Sequence, residues 1–146
     1  MSKKKSLSTD CPCSSGATLE QCCGQYLEAG KRAPTAEVLM RSRYVAYVFN
    51  DAAYLRKTWH PDTCPVELSL DDCGKWIGLK ILRTERGEVD DEQGSVEFVA
   101  RYKVAGKAHR LHEASRFVRH EGCWVYEGGE ASGSRLREPL INSGPS

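Results

Sequence analysis

Hydrophobic and polar positions divide the chain into a polar start, a cysteine-rich segment, a helical stretch and a series of alternating segments. Residues 1–10 carry no periodicity and are predicted to form a disordered tail. The helical signal begins at Ala33-Pro34-Thr35. Thr35 is a suitable N-cap, and Glu37 places a carboxylate in the first turn, where the helix dipole favours it. Val38, Ser42, Val45 and Phe49 recur on one face at helical spacing, and Leu39, Tyr44 and Val48 widen the stripe. Asn50-Asp51 breaks this helix, and Asp51 can cap a second one whose inner face is Tyr54, Leu55 and Thr58. Pro61 stops it, because the residue before a proline is pushed out of the α region.

Beyond a loop from Asp62 to Cys73 the period shortens to two. Ile77, Leu79 and Ile81 alternate with Gly78, Lys80 and Leu82, which predicts a strand. A polar connection, Asp90-Asp91-Glu92-Gln93-Gly94, leads to Val96, Phe98, Ala100, Tyr102 and Val104, which alternate with Glu97, Val99, Arg101 and Lys103. Ala105-Gly106-Lys107 is a predicted turn, His109 to Arg119 a third strand, Glu121-Gly122 another turn, and Trp124 to Glu127 a fourth strand. Residues 130–146 are polar and rich in Gly and Ser, a predicted flexible tail. Helices followed by antiparallel strands with short turns predict an α+β fold with one sheet face buried against the helices.

Composition narrows the function classes. A chain of 146 residues with 40% hydrophobic and 28% charged residues suits one globular domain with a small appendage. No run of about 18 apolar residues is present, so no transmembrane helix and no membrane partner is expected. The basic start lacks an apolar stretch and does not read as a secretory signal; Lys3 to Lys5 read as a solvated tail. A net charge of +1 argues against strong non-specific attraction to nucleic acid. Seven cysteines, an odd number without a secretory signal, point to a reducing compartment and a cytoplasmic location.

Four of those cysteines fall within residues 11–24, as Cys11-Pro12-Cys13, then eight residues, then Cys22-Cys23-Gly24. Two close pairs joined by a short loop suit a tetrahedral ion with four soft ligands, which points to zinc; sulfur ligands also admit iron. Pro12 stiffens the first pair, Ser14-Ser15-Gly16 lets the backbone turn towards the thiolates, and Thr18 to Gln21 can form one helical turn presenting Cys22 and Cys23. The segment has little apolar sequence, so metal binding is expected to supply its folding free energy, about 10–16 kcal/mol in zinc-finger peptides. Ordinary free thiols, or a disulfide pair, are the alternatives. Gln25 to Arg32 reads as a short helical piece and a linker, and residues 25–34 connect the knuckle to the rest.

The stretch from Cys11 to Gly24 resembles the SEC-C motif, the zinc knuckle also found at the C-terminal end of the SecA translocation ATPase. All four ligand positions and the closing glycine are present. Ser14 replaces a glycine, Leu19 stands in place of an aromatic residue, and Glu20-Gln21 replace basic residues. The acidic chaperone partner associated with the basic SecA knuckle is therefore not expected here. Ala33-Pro-Thr-Ala-Glu, Leu39-Met-Arg-Ser-Arg-Tyr, Thr58-Trp-His-Pro, Val96-Glu-Phe-Val-Ala-Arg-Tyr and Leu111-His-Glu-Ala-Ser-Arg-Phe resemble the YchJ-like bacterial family. That resemblance implies a SEC-C knuckle joined to a domain, residues 35–129, similar to nuclear transport factor 2: a cone of helices on a curved antiparallel sheet. Many members carry a second SEC-C motif at the C-terminus; the sequence from Arg137 to Ser146 has no cysteine, so none is expected here. The resemblance implies a fold and no particular reaction.

Cone folds leave a pocket, and Arg41, Arg43, Tyr44, Trp59, His60, Glu97, Arg101, His112 and Glu113 are the candidate lining groups. A buried carboxylate or imidazole facing a donor could move a proton there. Each group also has a structural reading. His60 before Pro61 can cap a helix end, and Arg41 can be helix surface. His112 and Glu113 are neighbours on a strand and point to opposite faces. Glu97 and Arg101 share a face and can be a cross-strand ion pair. Trp59, Trp76 and Trp124 read as core. Cys64, Cys73 and Cys123 lack ligand spacing; Cys64, just before Pro65, is a free thiol unless a basic group activates it. The expected function is a cytoplasmic metal-binding adaptor that binds another protein, because a closed four-sulfur site leaves no open position for catalysis. The alternative is a small-molecule binder or enzyme using the pocket. Nucleic-acid binding through the knuckle with Lys3–Lys5 and Lys31-Arg32 comes third.

Overall fold

The computed structural model describes residues 10–66 and 75–131. After the cysteine segment come helices α1 (Gly24–Leu27), α2 (Ala36–Val48) and α3 (Ala52–Lys57), then strands β1 (Lys75–Arg86), β2 (Gln93–Val104), β3 (Lys107–His120) and β4 (Cys123–Ala131). The four strands form one antiparallel sheet in chain order, and the fold is α+β. Residues 1–9 and 132–146 of the proposed tails, and the segment from Glu67 to Gly74, which includes Cys73, lie outside the described residues, whereas Asp10 forms a bridge and Glu130 and Ala131 end β4.

Local chemistry places the helices. The Thr35 hydroxyl accepts from the Val38 amide at 3.2 Å, and the Asp51 carboxylate accepts from the Tyr54 amide at 3.0 Å. Between the helices, Asn50 takes a left-handed backbone (φ 58°), a conformation that asparagine tolerates better than most residues. Helix α3 ends at Lys57, with Thr58 as its C-cap. The stop thus comes before Pro61, where the Thr58 side chain turns back to the Tyr54 carbonyl at 2.8 Å. Helix α2 buries Leu39, Met40, Ser42, Arg43, Tyr44, Val45 and Ala46, more than one amphipathic stripe. It touches β1, β2 and β4 as well as α1 and α3, so most of its surface is covered. Phe49, predicted on the inner stripe, instead sits at the C-cap and is 50% exposed.

The β2–β3 and β3–β4 turns are Ala105-Gly106 (φ 53° and 80°) and Glu121-Gly122 (φ 55° and 84°). Two successive left-handed residues give the turn whose twist matches antiparallel strands. Strand β2 buries Val96, Phe98, Ala100 and Tyr102 as its alternation predicts. It starts earlier than predicted, at Gln93. Gly94 pairs with Arg86 inside the ladder, where a side chain would run into Gly87. The carbonyl of Gly87 accepts from the Ala36 amide at 2.9 Å and ties this end of the sheet to the start of α2.

Strand β1 departs from simple alternation. Irregularities between Trp76 and Gly78 and between Ile81 and Arg83 shift its register. Trp76 turns inward against Tyr44, Tyr47 and Tyr102, Leu79 is buried, and Ile77 is left outside at 47% exposure. One core runs through the molecule, joining Leu39, Met40, Tyr44, Val45 and the inner sheet face to Cys11, Cys13, Leu19 and Cys23 of the knuckle. A smaller cluster gathers Ala46, Tyr54 and Leu55. Among the described residues, no helix is long and apolar enough to cross a membrane.

Candidate metal centre

The knuckle is a loop closed by hydrogen bonds. Asp10 bridges to Thr18, and the Cys11 amide donates to the Ala17 carbonyl at 2.9 Å. Ser14 (φ 69°) and Gly16 (φ 96°) take left-handed conformations that reverse the chain between the two cysteine pairs. The amides of Gln21 and Cys22 then donate three residues back, each at 3.1 Å, making the tight turn that presents Cys22 and Cys23. The Gly24 amide donates to the Leu19 carbonyl at 2.8 Å. A Cβ on Gly24 would sit 2.7 Å from that same oxygen, which is the physical reason for the closing glycine.

This path brings Cys11, Cys13, Cys22 and Cys23 together, with all four Sγ atoms within 4.8 Å of one another. Cys13 and Cys22 are 3.6 Å apart at sulfur, and Cys22 and Cys23 are 3.8 Å apart. Four sulfurs at 2.3 Å from one tetrahedral ion lie about 3.8 Å from each other, so the set fits a metal ion. A disulfide would require about 2.05 Å, and the four cysteines are free.

The polar surroundings suit negative sulfur. The backbone amides of Cys13 and Cys23 favour the charged form of the Cys11 sulfur, and the Ser15 hydroxyl lies 3.1 Å from the sulfur of Cys22. Arg41 donates to the Cys13 carbonyl at 2.8 Å and lies 3.8 Å from its Sγ, while its Nε holds Glu37 at 3.0 Å. Hydrogen bonds from the Cys11 and Cys23 thiols, aided by Ser15 and Arg41, hold the Cys13 thiol far below the ordinary range. The same sharing pushes Cys11 up to about 11, and hydrogen bonds with Cys11 and Cys13 plus burial push Cys23 up strongly. Without a metal, the cluster thus concentrates negative charge at Cys13 and keeps Cys11 and Cys23 protonated near neutral pH. A divalent cation would displace those protons.

The nine pocket candidates separate into distinct places. Arg41 belongs to the knuckle. Arg43 is buried with its guanidinium between the rings of Trp59 (4.9 Å) and Tyr126 (4.6 Å), and it donates to the Leu55 carbonyl at 2.9 Å and the Thr58 hydroxyl at 2.8 Å. Burial lowers its pKa. The His60 amide donates to the Tyr126 carbonyl at 2.8 Å, and its Nδ1 accepts from the Asp62 amide at 3.0 Å. Glu113 accepts from Ser115 at 2.8 Å and from the Tyr126 hydroxyl at 3.3 Å. Tyr44 packs edge-on against Trp76, and burial pushes its hydroxyl up to about 12.

Arg43, Trp59, His60 and Glu113 therefore converge on Tyr126, which the sequence reading passed over. Its signal was its place in the fourth alternating segment. Glu97, Arg101 and His112 lie on the opposite, outer face of the sheet. Glu97 meets His112 there at 2.6 Å, so its hydrogen-bond partner is a histidine rather than Arg101. His112 and Glu113 do point to opposite faces. A depression of about 200 Å³ beside Arg86, Ser95 and Arg116 contains none of the nine. Trp124 is core, with its indole donating to the Pro34 carbonyl at 3.1 Å. Cys64 has Arg56 3.8 Å from its sulfur.

Residues 35–129 match the family model described as YchJ, middle NTF2-like domain. The chain belongs to this YchJ-like family. It is 53% identical over 133 residues to a UPF0225 protein of Chromobacterium violaceum, covering 88% of this chain and 98% of that one. A UPF0225 protein of Streptomyces coelicolor is 48% identical over 120 residues, covering 82% and 94%. Among solved structures, a SEC-C motif containing protein from Rhodopseudomonas palustris matches with a TM-score of 0.72 and 32% identity, over 84% of this chain and 98% of that one. Another, from Psychrobacter arcticus, matches with a TM-score of 0.65 and 25% identity, over 90% and 88%. The YchJ-like chain thus joins a cysteine cluster able to hold a metal ion to an α+β domain with known relatives.

Proposed function

We propose that this YchJ-like chain is a cytoplasmic zinc-binding adaptor, in which one zinc ion on Cys11, Cys13, Cys22 and Cys23 locks the knuckle onto the α+β domain to present a docking surface for another protein. The observation that carries the reading is the approach of four sulfurs to within 4.8 Å. Four thiolates saturate a tetrahedral ion and leave no position for substrate, so the metal's role is structural and the protein's role is binding. The likeness to SEC-C motif containing proteins and the free thiols support it.

The test is elemental analysis of native protein, with identification of what co-purifies. One zinc per chain is expected, lost in Cys22→Ser together with the bound partner. Cys22 is the choice because it is the half-buried member of the four. Iron in its place would reveal itself by visible absorption. Metal-free protein that keeps its partners would overturn the reading.

A second reading, a small-molecule site in the α+β domain, is favoured by one observation: the buried Arg43 and Glu113 both meet Tyr126. Native mass spectrometry should then show a co-purifying small molecule that Tyr126→Phe or Arg43→Met releases. Chains of bare mass would remove this reading.

A further inference from the structure

The near-neutral net charge conceals a strong segregation. Between Lys75 and Arg83 and between Phe98 and His112 there is no Asp or Glu, while Lys75, Lys80, Arg101, Lys103, Lys107 and Arg110 are all present and exposed. The sheet register gathers them. Lys75 pairs with Lys103, Gly78 with Arg101, and Arg101 with Arg110, while Lys80 opposes Val99. Ala100 and Tyr102 point into the core, so Lys75, Lys80, Arg101, Lys103 and Arg110 point outward, while Lys107 pairs with Val104 at the very end of the hairpin. At Gly78, a Cβ would lie 3.9 Å from the Cδ of Arg101, so the arginine stem lies beside β1 at this position.

None of the six forms an ion pair among the described residues. Arg83, next along the face, is held by Glu85, and Glu97 is engaged by His112. The outward apolar residues on this half are Ile77, Val99 and Ala108, with Val104 exposed at the hairpin end. The aromatic rings nearby, Trp76 and Tyr102, are turned into the core, and His109 stacks on Tyr102.

We propose that the outer face of β1–β3, at the end of the β2–β3 hairpin, binds the phosphate backbone of double-stranded DNA without reading its sequence. Protein interfaces centre on aromatic and apolar anchors and are depleted in lysine, the reverse of this surface. Single-stranded nucleic acid is held by stacking on exposed aromatic rings, which this face lacks among the described residues. Three strands span about 10 Å, within reach of both walls of a B-form major groove about 12 Å wide. The major groove of A-form RNA is deep and narrow and does not admit such a face. The proposal is independent of the adaptor reading, because the basic face shares no residue with the knuckle.

The test is fluorescence anisotropy of a labelled mixed-sequence DNA duplex of about 20 base pairs, long enough to exceed the contacted patch. The full zinc-loaded chain is used, so that Glu67, Asp71 and Asp72, which precede β1 outside the described residues, take their part in any competition. Neutralising four or five phosphates gives a slope of about −3.6 to −4.5 in log K against log salt, a loss of two to three orders of magnitude from 50 to 200 mM. Arg101→Glu with Arg110→Glu should weaken binding at least tenfold at 50 mM salt, with zinc content and circular dichroism unchanged. Lys31→Ala with Arg32→Ala, and Lys3 to Lys5 changed to Ser, should keep affinity within twofold. The proposal is overturned by no binding at 50 mM, by a slope shallower than about −2, or by a charge-reversed protein that still binds. Tighter binding to single strands, duplex RNA, polyglutamate or phosphatidylserine vesicles than to duplex DNA would also overturn it.

Discussion

Residues 10–27 and residues 35–131 reach order by different routes. The knuckle has turns, one isolated bridge and the four-residue helix α1, and apart from cysteines Leu19 is its one buried side chain with a Cβ. The second region has two capped helices and a four-stranded sheet over a core that includes Leu39, Val45, Val96 and Phe117, each at most 2% exposed. Still, the regions are not separate bodies. Cys11, Cys13 and Cys23 pack in the same cluster as Leu39, Met40 and Tyr44, and Arg41 of α2 holds the Cys13 carbonyl. The contrast teaches that a four-cysteine knuckle can be a piece of a larger core. Its sulfurs replace apolar contacts at one end of the molecule while the sheet supplies them at the other.

The largest effect should come from removing the metal. Structural zinc contributes on the order of 10 kcal/mol in isolated knuckles, and part of that is expected here as whole-chain stability. Chelation should lower the melting temperature by about 10 °C or more, read by calorimetry. An unchanged main transition would show that the two regions fold independently after all. Acid should act in the same direction. Cys11, with its pKa near 11, and Cys23, higher still, carry protons when metal-free and lose them to the ion. The metal-free form binds more protons, so falling pH favours it. Zinc competition measured from pH 8 to 5 should show affinity dropping steadily; affinity that rises towards acid would contradict this sign.

Phe117→Ala comes next. The ring is fully buried against Tyr126, and its loss should cost about 3–5 kcal/mol in denaturant unfolding while the cysteine set still takes up one metal. Gly24→Ala should cost about 2 kcal/mol, because the added methyl meets the Leu19 carbonyl rather than a movable side chain. Its metal affinity should fall as well, unlike that of Phe117→Ala. Arg41→Gln should have the smallest effect, about 1–2 kcal/mol, through the lost hydrogen bond to the Cys13 carbonyl. Faster zinc exchange in that variant is the sharper readout, since a purely structural surface arginine would leave it unaltered.

Much of this was legible along the chain. Thr35 and Asp51 announced their helices because a cap is a local bond between a side chain and an amide three residues on. Strand β2 was legible because its pairing with β3 runs without a register shift and the irregularities of its pairing with β1 fall on β1, so its own alternation survives intact. The bulges of β1 left no clear trace in the alternation of Ile77, Leu79 and Ile81, because an extra residue in a ladder is defined by its partner strand. Phe49 was misplaced because helical periodicity continues past the point where Asn50 ends the helix. The gathering of Arg43, Trp59, His60 and Glu113 on Tyr126 joins α2 and α3 with β3 and β4, and no local pattern encodes that meeting.

Cysteine spacing by itself specified the sulfur set, and side-chain alternation by itself specified an α+β chain, because short-range geometry links neighbouring residues to ligands, caps and strand faces. Tertiary structure decided that the knuckle shares the main core, that the candidate pocket groups divide between two faces of the sheet, and that the cations of β1, β2 and β3 form one surface. Those outcomes depend on which strands lie side by side and in which register, a property of the assembled sheet that net charge and local pattern do not carry.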